Sequence, residues 1–400
     1  MIQTNVLYKK NRTLFSYDAF LLVLLGMLTA FGPFVTDMYL PSLPSMEAYF
    51  ATTSSMVQLG LTFSMIGLAV GQIIFGPLSD KYGRRPLLLA SMWLFIISTV
   101  ACVFAPTIFV FVVLRLLQGI GGAGGIVISR SIATDRYGGK ELAKMLAVIG
   151  AINGIAPVTA PVIGGLLTEH VGWQGIFGVL LALGLVLLAG CFRFRESLPL
   201  SRRSSKGLLH TFGSFKTIVR NRRYLFYVLQ LGFAQGVLFG YIASSPFIIQ
   251  QHYGFSPFMF SICFGINAVA IGIAAALSVK FRSQERGTRV GCVGMCVLAV
   301  SQLVALYMNV PFWVYEMLMI ALLFVMGLTF TTSTSLAMSC ERDNAGGASA
   351  LLGAICFAFG GIVSPLVGVG NILVSTGVVF VVCAVCSLLC ALYAERWKVR

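Results

Sequence analysis

Apolar residues run along this chain in long unbroken stretches divided by short polar connections. The stretches fall at 15–40, 54–78, 86–105, 107–130, 141–168, 172–193, 223–250, 256–280, 289–308, 311–338, 345–370 and 372–394. A hydrocarbon layer about 30 Å thick takes about 20 apolar residues per crossing helix. With no water in that layer, a helix satisfies its own backbone polar groups, whereas the strands of a barrel would alternate in segments of about ten residues. The continuous runs therefore predict twelve membrane-spanning helices. The first is too long, and too well embedded in the pattern, for a cleaved signal peptide, so it is expected to be retained.

Composition excludes a soluble fold. Of the 400 residues 58% are hydrophobic and 10% charged, against about 25% charged in an average soluble domain. The net charge of +15 raises nucleic acid as a partner, and the placement of the cations decides against it. Of 28 Lys and Arg residues, 27 lie in the N-terminus (Lys9, Lys10, Arg12), in alternate connections beginning with Lys81, Arg84 and Arg85 or at the stretch ends that border them, or at the C-terminus (Arg396, Lys398, Arg400). Arg115, inside the fourth stretch, is the exception. This segregation reports topology and places both termini in the cytoplasm. The cysteines are scattered through apolar stretches and read as small packing residues, and His170, His210 and His252 fall in or beside loops. No metal site is expected.

The longest polar segment, Arg193 to Arg223, carries Arg202, Arg203, Lys206, Lys216, Arg220 and Arg222 and divides the stretches six and six. It predicts an N-terminal six-helix bundle over 1–193, a cytoplasmic linker over 194–222 and a C-terminal six-helix bundle over 223–400. Leu78-Ser79-Asp80-Lys81 recurs as Leu277-Ser278-Val279-Lys280 at the equivalent connection of the second half, without the acid. Such repeats belong to transporters that rock two bundles about a central site.

The most specific stretch is Gly76-Pro77-Leu78-Ser79-Asp80-Lys81-Tyr82-Gly83-Arg84-Arg85-Pro86. Its glycines permit a tight turn, Asp80 offers a carboxylate to a cation or a helix N-terminus, and Arg84 can pair across the bundle. It resembles the loop signature of major facilitator transporters. The resemblance implies that Arg84 reaches Asp135 at the end of the fourth span, and that Gly76, Asp80, Gly83, Arg84, Arg85 and Asp135 form a cytoplasmic gate.

Arg115 is a permanent cation within a span, so it faces a cavity, finds partners or snorkels. Gln118, Gly122, Gly125 and Ser129 form a small, polar stripe on its side. The stretch resembles the family's fourth-helix motif, which implies a link between proton binding and substrate release. On the first helix, Gly26, Ala30, Pro33 and Asp37 share one face, while Leu24, Leu28, Phe31 and Val35 form another. The small face is expected to look inward. There Asp37 could exchange a proton as the site turns from wet to dry, which makes it the candidate coupling acid with Arg115; the alternative is a solvated residue near the outer interface.

Gly150, Gly154, Pro157, Pro161, Gly164 and Gly165 in the fifth span resemble the antiporter motif, with Ala160-Pro161 in place of Gly-Pro. Glycines let helices approach closely and prolines bend them, so this segment can seal a cavity without polar gating groups. Together with Asp37-Met38-Tyr39-Leu40-Pro41, these motifs make the chain similar to the bicyclomycin and chloramphenicol resistance branch of the drug:proton antiporters. The resemblance implies an all-α integral membrane protein of the major facilitator fold, with twelve helices in two bundles around a central cavity. It implies residence in a bacterial inner membrane, and export of small amphipathic compounds in exchange for protons with no other cofactor. Phe34, Met38, Tyr39, Gln118, Asn153, Gln230, Gln235, Phe239, Tyr241 and Asn267 are candidate cavity residues, with packing between helices as the alternative. Glu316, about five residues from the outer end of the tenth span, ranks below Asp37 because of its reach to water. The expected partners are the substrate and the bilayer, with no nucleic acid, and the expected state is a monomer. Transport of one specific metabolite is the alternative function. An enzyme would need a catalytic constellation such as HExxH, and direct use of ATP a Walker loop; neither occurs.

Overall fold

The computed structural model describes residues 2–137, 139–203, 218–278, 280–341 and 345–396. Most of the expected linker, Val279 of the internal repeat, and Lys398 and Arg400 lie outside the described residues. The architecture is helical, with no strand among the described residues. In chain order the helices are α1 (Ile2–Asp37), α2 (Leu43–Tyr49), α3 (Ser54–Tyr82), α4 (Arg84–Val103), α5 (Ile108–Arg136) and α6 (Gly139–Arg193). They continue with α7 (Arg222–Phe247), α8 (Pro257–Ser278), α9 (Gln284–Tyr307), α10 (Phe312–Cys340), α11 (Ala345–Leu366) and α12 (Ile372–Arg396).

Local chemistry sets the ends. α1 stops at Asp37, shortly before Pro41 and Pro44, neither of which has a backbone N–H to give. Thr53 caps α3 by accepting from the Met56 amide, Thr107 caps α5 through Val110, and Asn221 caps α7 through Tyr224. α3 gives way to α4 at Gly83, whose φ of 105° is open to glycine and strained for other residues.

Ten helices among the described residues are long and apolar enough to cross a membrane, and Leu351–Leu366 is a shorter apolar helix. That count takes Ile155–Arg193 as one, although α6 is broken at Gly172, where φ is 64° and ψ is −172°. The two expected spans 141–168 and 172–193 are the arms on either side of this residue. No polar loop parts them, because a single glycine makes the turn. The expected span 345–370 falls on α11, whose apolar run is the shorter one.

In the first half α3 lies along α5, α4 along α5 and α6, and α1 between α5 and α6. In the second half α7 packs on α11, α12 and α10, and α9 on α10 and α12. Contacts between the halves run from α3 to α11 and from α6 to α8. Leu24, Leu28, Phe31 and Val35 are buried, as their shared face predicts. Outward, Ile97, Phe104, Phe109, Val186 and Met317 are each more than 60% exposed, an apolar belt of the kind lipid covers. All ten cysteines are free, including Cys383 and Cys386, which stand at CxxC spacing on α12.

The α3–α5 crossing is backbone against backbone. A Cβ at Gly67 would lie 2.3 Å from the Leu116 carbonyl oxygen, and one at Gly119 would lie 2.2 Å from that of Ser64. Gly119→Ala is therefore expected to part the two helices and to cost about 1–3 kcal/mol, the usual scale of overpacking. Thermal melting of the purified protein checks this. Gly178→Ala, where a Cβ would meet nothing within 4 Å, is the control and should leave the midpoint in place.

Candidate functional site

A cavity of about 970 Å³ lies between the halves. α1 contributes Thr29, Gly32, Pro33, Thr36 and Asp37, and α3 contributes Met65, Leu68 and Gln72. The last turns of α5 add Arg130, Ser131 and Thr134, while Gln235, Phe239 and Tyr241 face it from α7. Phe264, Phe330 and Phe357 complete an otherwise apolar wall. Arg130 is the one cation and Asp37 the one acid among the lining residues, and among the described residues neither has an oppositely charged side chain within 4.0 Å. Sequence reasoning counted Arg130 with the connections. α5 runs six residues past it, so its side chain reaches the cavity instead.

The opposite end is closed by contacts between halves. The Gln58 side chain donates to the Ala243 carbonyl at 3.1 Å, Gln250 to the Pro41 carbonyl at 3.0 Å, and Gln251 to Glu47 at 3.0 Å. Pro161, Gly164 and Gly165 are buried here. A Cβ at Gly164 would fall 1.8 Å from the Met38 carbonyl oxygen, and one at Gly165 would fall 2.8 Å from that of Pro257 on α8. Pro157 lines the cavity itself. Gly150, Asn153 and Gly154 fall on the part of α6 whose side chains lie outside the described residues.

Asp37 is the last residue of α1 and only 7% exposed. The face of α1 that meets the cavity is Thr29, Gly32, Pro33, Thr36 and Asp37, a slight rotation from the expected stripe. Gly26 instead meets Ile152 of α6, and Ala30 is buried. Arg115 is fully buried and does not line the cavity. Its guanidinium donates to the Val35 carbonyl at 2.9 Å, to the Gly60 carbonyl at 3.4 Å and to the Gln118 side-chain oxygen. Tyr39 lies 4.3 Å from the guanidinium carbon and Phe177 5.5 Å, close enough for cation–π attraction. Arg115 and Asp37 thus form no ion pair; Arg115 grips the last turn of α1 through a backbone oxygen two residues before Asp37.

At the basic end, Arg84 donates to Asp80 at 2.5 Å, to Asp135 at 2.8 and 3.3 Å, and to Ser79 at 2.7 Å. Arg85 donates to the Phe192 carbonyl at 2.8 Å. Glu196, which sequence reasoning missed, accepts the backbone N–H groups of Arg84 and Arg85 at 3.0 and 3.1 Å, an acid on the N-terminus of α4. Its position more than a hundred residues along the chain hid this role. A Cβ at Gly83 would meet Glu196 and Arg203, whereas Gly76 has room for one. Every partner named here belongs to the first half or to the start of the linker, and the cluster is assembled while the cavity opens at this same end.

Of the candidate cavity residues, the structure puts Gln235, Phe239 and Tyr241 in the wall. Apart from Asn153, which lies outside the described side chains, the others stand behind it. Phe34 packs against the core, Met38 and Tyr39 are buried at the closed end, and Gln118 bridges Arg115 and Thr99. Gln230 donates to Ser387 at 3.1 Å. Asn267 donates to the Tyr241 hydroxyl at 3.0 Å and to Glu316 at 2.8 Å. Glu316 is 4% exposed, so it is buried against Asn267 rather than reaching water at the outer end.

The sequence pattern of the Major Facilitator Superfamily matches residues 22–365. The chain belongs to that superfamily. An uncharacterized MFS-type transporter of Bacillus subtilis, YdgK, is 37% identical over 352 residues, covering 86% of this chain and 88% of its own. A bicyclomycin resistance protein homolog of Haemophilus influenzae is 28% identical, with 86% and 87% covered, and a chloramphenicol resistance protein of Pseudomonas aeruginosa is 27% identical, with 83% and 78% covered. These relatives support the resemblance to the bicyclomycin and chloramphenicol branch. A bacterial homolog of the human lysosomal transporter Spinster, solved in an inward-facing and unoccupied conformation, superposes with a TM-score of 0.77 at 16% identity, covering 95% of this chain and 98% of its own. That likeness shows the fold.

This major facilitator chain is accordingly a multi-pass membrane transporter and not an enzyme. Its charged cluster ranks its acids by burial. Asp135 is 16% exposed and takes two bonds from Arg84, while Asp80 is 50% exposed and takes one. Asp135→Asn is expected to cost about 1–3 kcal/mol, the scale of a charged hydrogen bond whose buried partner is left behind, and Asp80→Asn clearly less. Melting curves of the two purified variants check the order.

Proposed function

We propose that this transporter exports small amphipathic compounds in exchange for protons, by alternating access of the central cavity. The observation that carries this reading is the cavity itself. A wall of aliphatic and aromatic side chains with a few polar groups suits substrates recognised by size and amphipathic character rather than by a fixed set of hydrogen bonds. Relatives named for bicyclomycin, chloramphenicol and multidrug resistance point the same way.

In this reading residues 1–193 and 223–400 rock as two bundles about the cavity, in a bacterial inner membrane, with both termini and the linker in the cytoplasm. The basic end then faces the cytoplasm, and the cavity stands open inward. The closed end, where Gly164 and Gly165 let α6 touch the turn after α1 at Met38 and the start of α8, becomes the outer seal, and parting α6 from α8 opens it. Arg84, Asp80, Asp135 and Glu196 fasten the inner ends of α3, α4 and α5 so that the first bundle moves as a body. Asp37 stands between cavity and seal, where its carboxyl meets water and substrate in one state and protein in the other. Arg115 acts on it through the backbone of α1, so rearrangement at the helix end and proton exchange at Asp37 are one event.

Uptake into inside-out vesicles under an imposed pH gradient tests the proposal, with chloramphenicol as the neutral probe and tetraphenylphosphonium as the cationic one. Accumulation that collapses with the gradient is expected, and Asp37→Asn should abolish it while chloramphenicol binding to the purified variant survives. Gradient-driven accumulation by Asp37→Asn at the parental rate would remove Asp37 from the mechanism. For orientation, Ser205→Cys in the linker is expected to stay unlabelled by an impermeant maleimide in intact cells, beyond the parental background. Labelling there would invert the topology.

A further inference from the structure

Behind the cavity wall of the second half lies a polar group that the transport reading leaves unused. The Asn267 amide nitrogen donates one hydrogen bond to Glu316 Oε1 at 2.8 Å and the other to the Tyr241 hydroxyl at 3.0 Å. Asn267 is fully buried and Glu316 is 4% exposed. Two oxygens, Glu316 Oε2 and Asn267 Oδ1, are left with no donor. The amide has already used both of its N–H groups, so nothing more can come from it.

Among the described residues the surroundings offer no counter-charge. Tyr241 faces Glu316 from α7, Cys263 from α8, and Tyr315 stands beside it on α10. α11 carries no ionised side chain among its described residues, and the charged residues of α9, which also packs on α10, are Glu285, Arg286 and Arg289, all at the end away from Glu316. A carboxylate buried in a membrane without a cation or further donors is costly. One proton removes the difficulty: on Oε2 it neutralises the acid and turns an orphaned acceptor into a donor, which the vacant Asn267 Oδ1 is free to accept. An amide and a carboxylic acid are complementary in this way.

We infer that Glu316, Asn267 and Tyr241 form a second proton-exchange site, in the half opposite Asp37, that is read from the cavity through Tyr241 and takes cationic amphiphiles. Tyr241 belongs to the cavity wall and stacks on Phe264, another wall residue, at 5.6 Å between ring centroids. An occupant that displaces the Tyr241 hydroxyl alters the link between Asn267 and the cavity. The Glu316 O–H bond then breaks, the proton leaves to cavity water, and the electron pair stays on the carboxylate. A positive group on the occupant supplies the counter-charge that the protein lacks. A neutral occupant supplies none and leaves the proton in place. This rests on the exchange reading above, and adds to it a second titrating acid and a preference by charge.

The test uses full-length protein purified with 13C-labelled glutamate, so that the infrared carbonyl band of a protonated glutamate is shifted away from that of aspartate. Wild type should show this band at neutral pH and lose it on adding tetraphenylphosphonium, but keep it with chloramphenicol. Proton release into weak buffer should be about two per bound cation, falling to about one in Glu316→Gln and in Asp37→Asn alike, since each removes one titrating carboxyl. Tyr241→Phe should retain the band and make it insensitive to the cation; this variant serves if Glu316→Gln does not fold. The inference is overturned if the band is absent from wild type, if it ignores the cation, or if tetraphenylphosphonium fails to bind where chloramphenicol does. Release kept in full by Glu316→Gln and lost in Asp37→Asn sinks this inference alone, whereas binding without any proton release sinks the exchange reading as well.

Discussion

A guanidinium cannot shed its charge, and at Arg115 one is held in the interior of a membrane helix bundle. Its burial is workable because three different elements bring oxygen to it: the last turn of α1 through Val35, the α3 backbone through Gly60, and its own helix through Gln118. Each charged hydrogen bond of this sort is worth about 1.5–3 kcal/mol, and the two to Val35 and Gly60 cannot be made unless α1, α3 and α5 meet at the right height. The cation thereby fixes the register of α1 against α3 and α5. The close glycine crossing of α3 and α5 serves the same end by bringing the Gly60 carbonyl within reach.

The two ends of the molecule are held by opposite means. At the basic end, carboxylates and guanidinium groups tie α3, α4, α5 and the segment after α6 into one body, and among the described residues no bond of this cluster crosses to the second half. At the other end the halves meet through a close glycine contact and a few amide side chains. Charge suits a joint that stays made, because breaking a buried ion pair leaves a charge stranded. Apolar and backbone contacts suit a joint that opens, since each contact gives up little when it parts.

Much of this was legible in the sequence because the bilayer leaves so few solutions. Continuous apolar runs located the helices, and Arg115 and Asp37 stood out as charges that such runs do not tolerate without cause. The pairing of Arg84 with Asp135 followed from resemblance and is present at 2.8 Å. Rotation about each helix axis was harder to read. Gly26 and Ala30 share a face with Asp37 on a helical wheel, yet they pack while Thr29 and Thr36 meet the cavity, because α6 presses against one side of α1. Asn267 and Gln230 look like wall residues by polarity alone, yet the amide nitrogens of both donate to partners behind the wall. Glu196 and Arg130 were hidden for a different reason: both carry charge near a connection, where charge is ordinary, and only tertiary structure distinguishes a cap or a cavity cation from a solvated side chain.

The apolar lining of the cavity has an evolutionary consequence. Exchanging Leu68, Ile242 or Phe357 for another side chain of similar bulk alters the outline of the space without stranding a charge or an unpaired hydrogen-bonding group, so such changes fall within what the fold tolerates. The buried polar centres around Arg115 and Arg84 have no such latitude. Selection acting on cargo range is therefore channelled into the wall, and descendants of this chain can diverge in what they carry while the helices, the charged joint and the glycine contacts stay as they are.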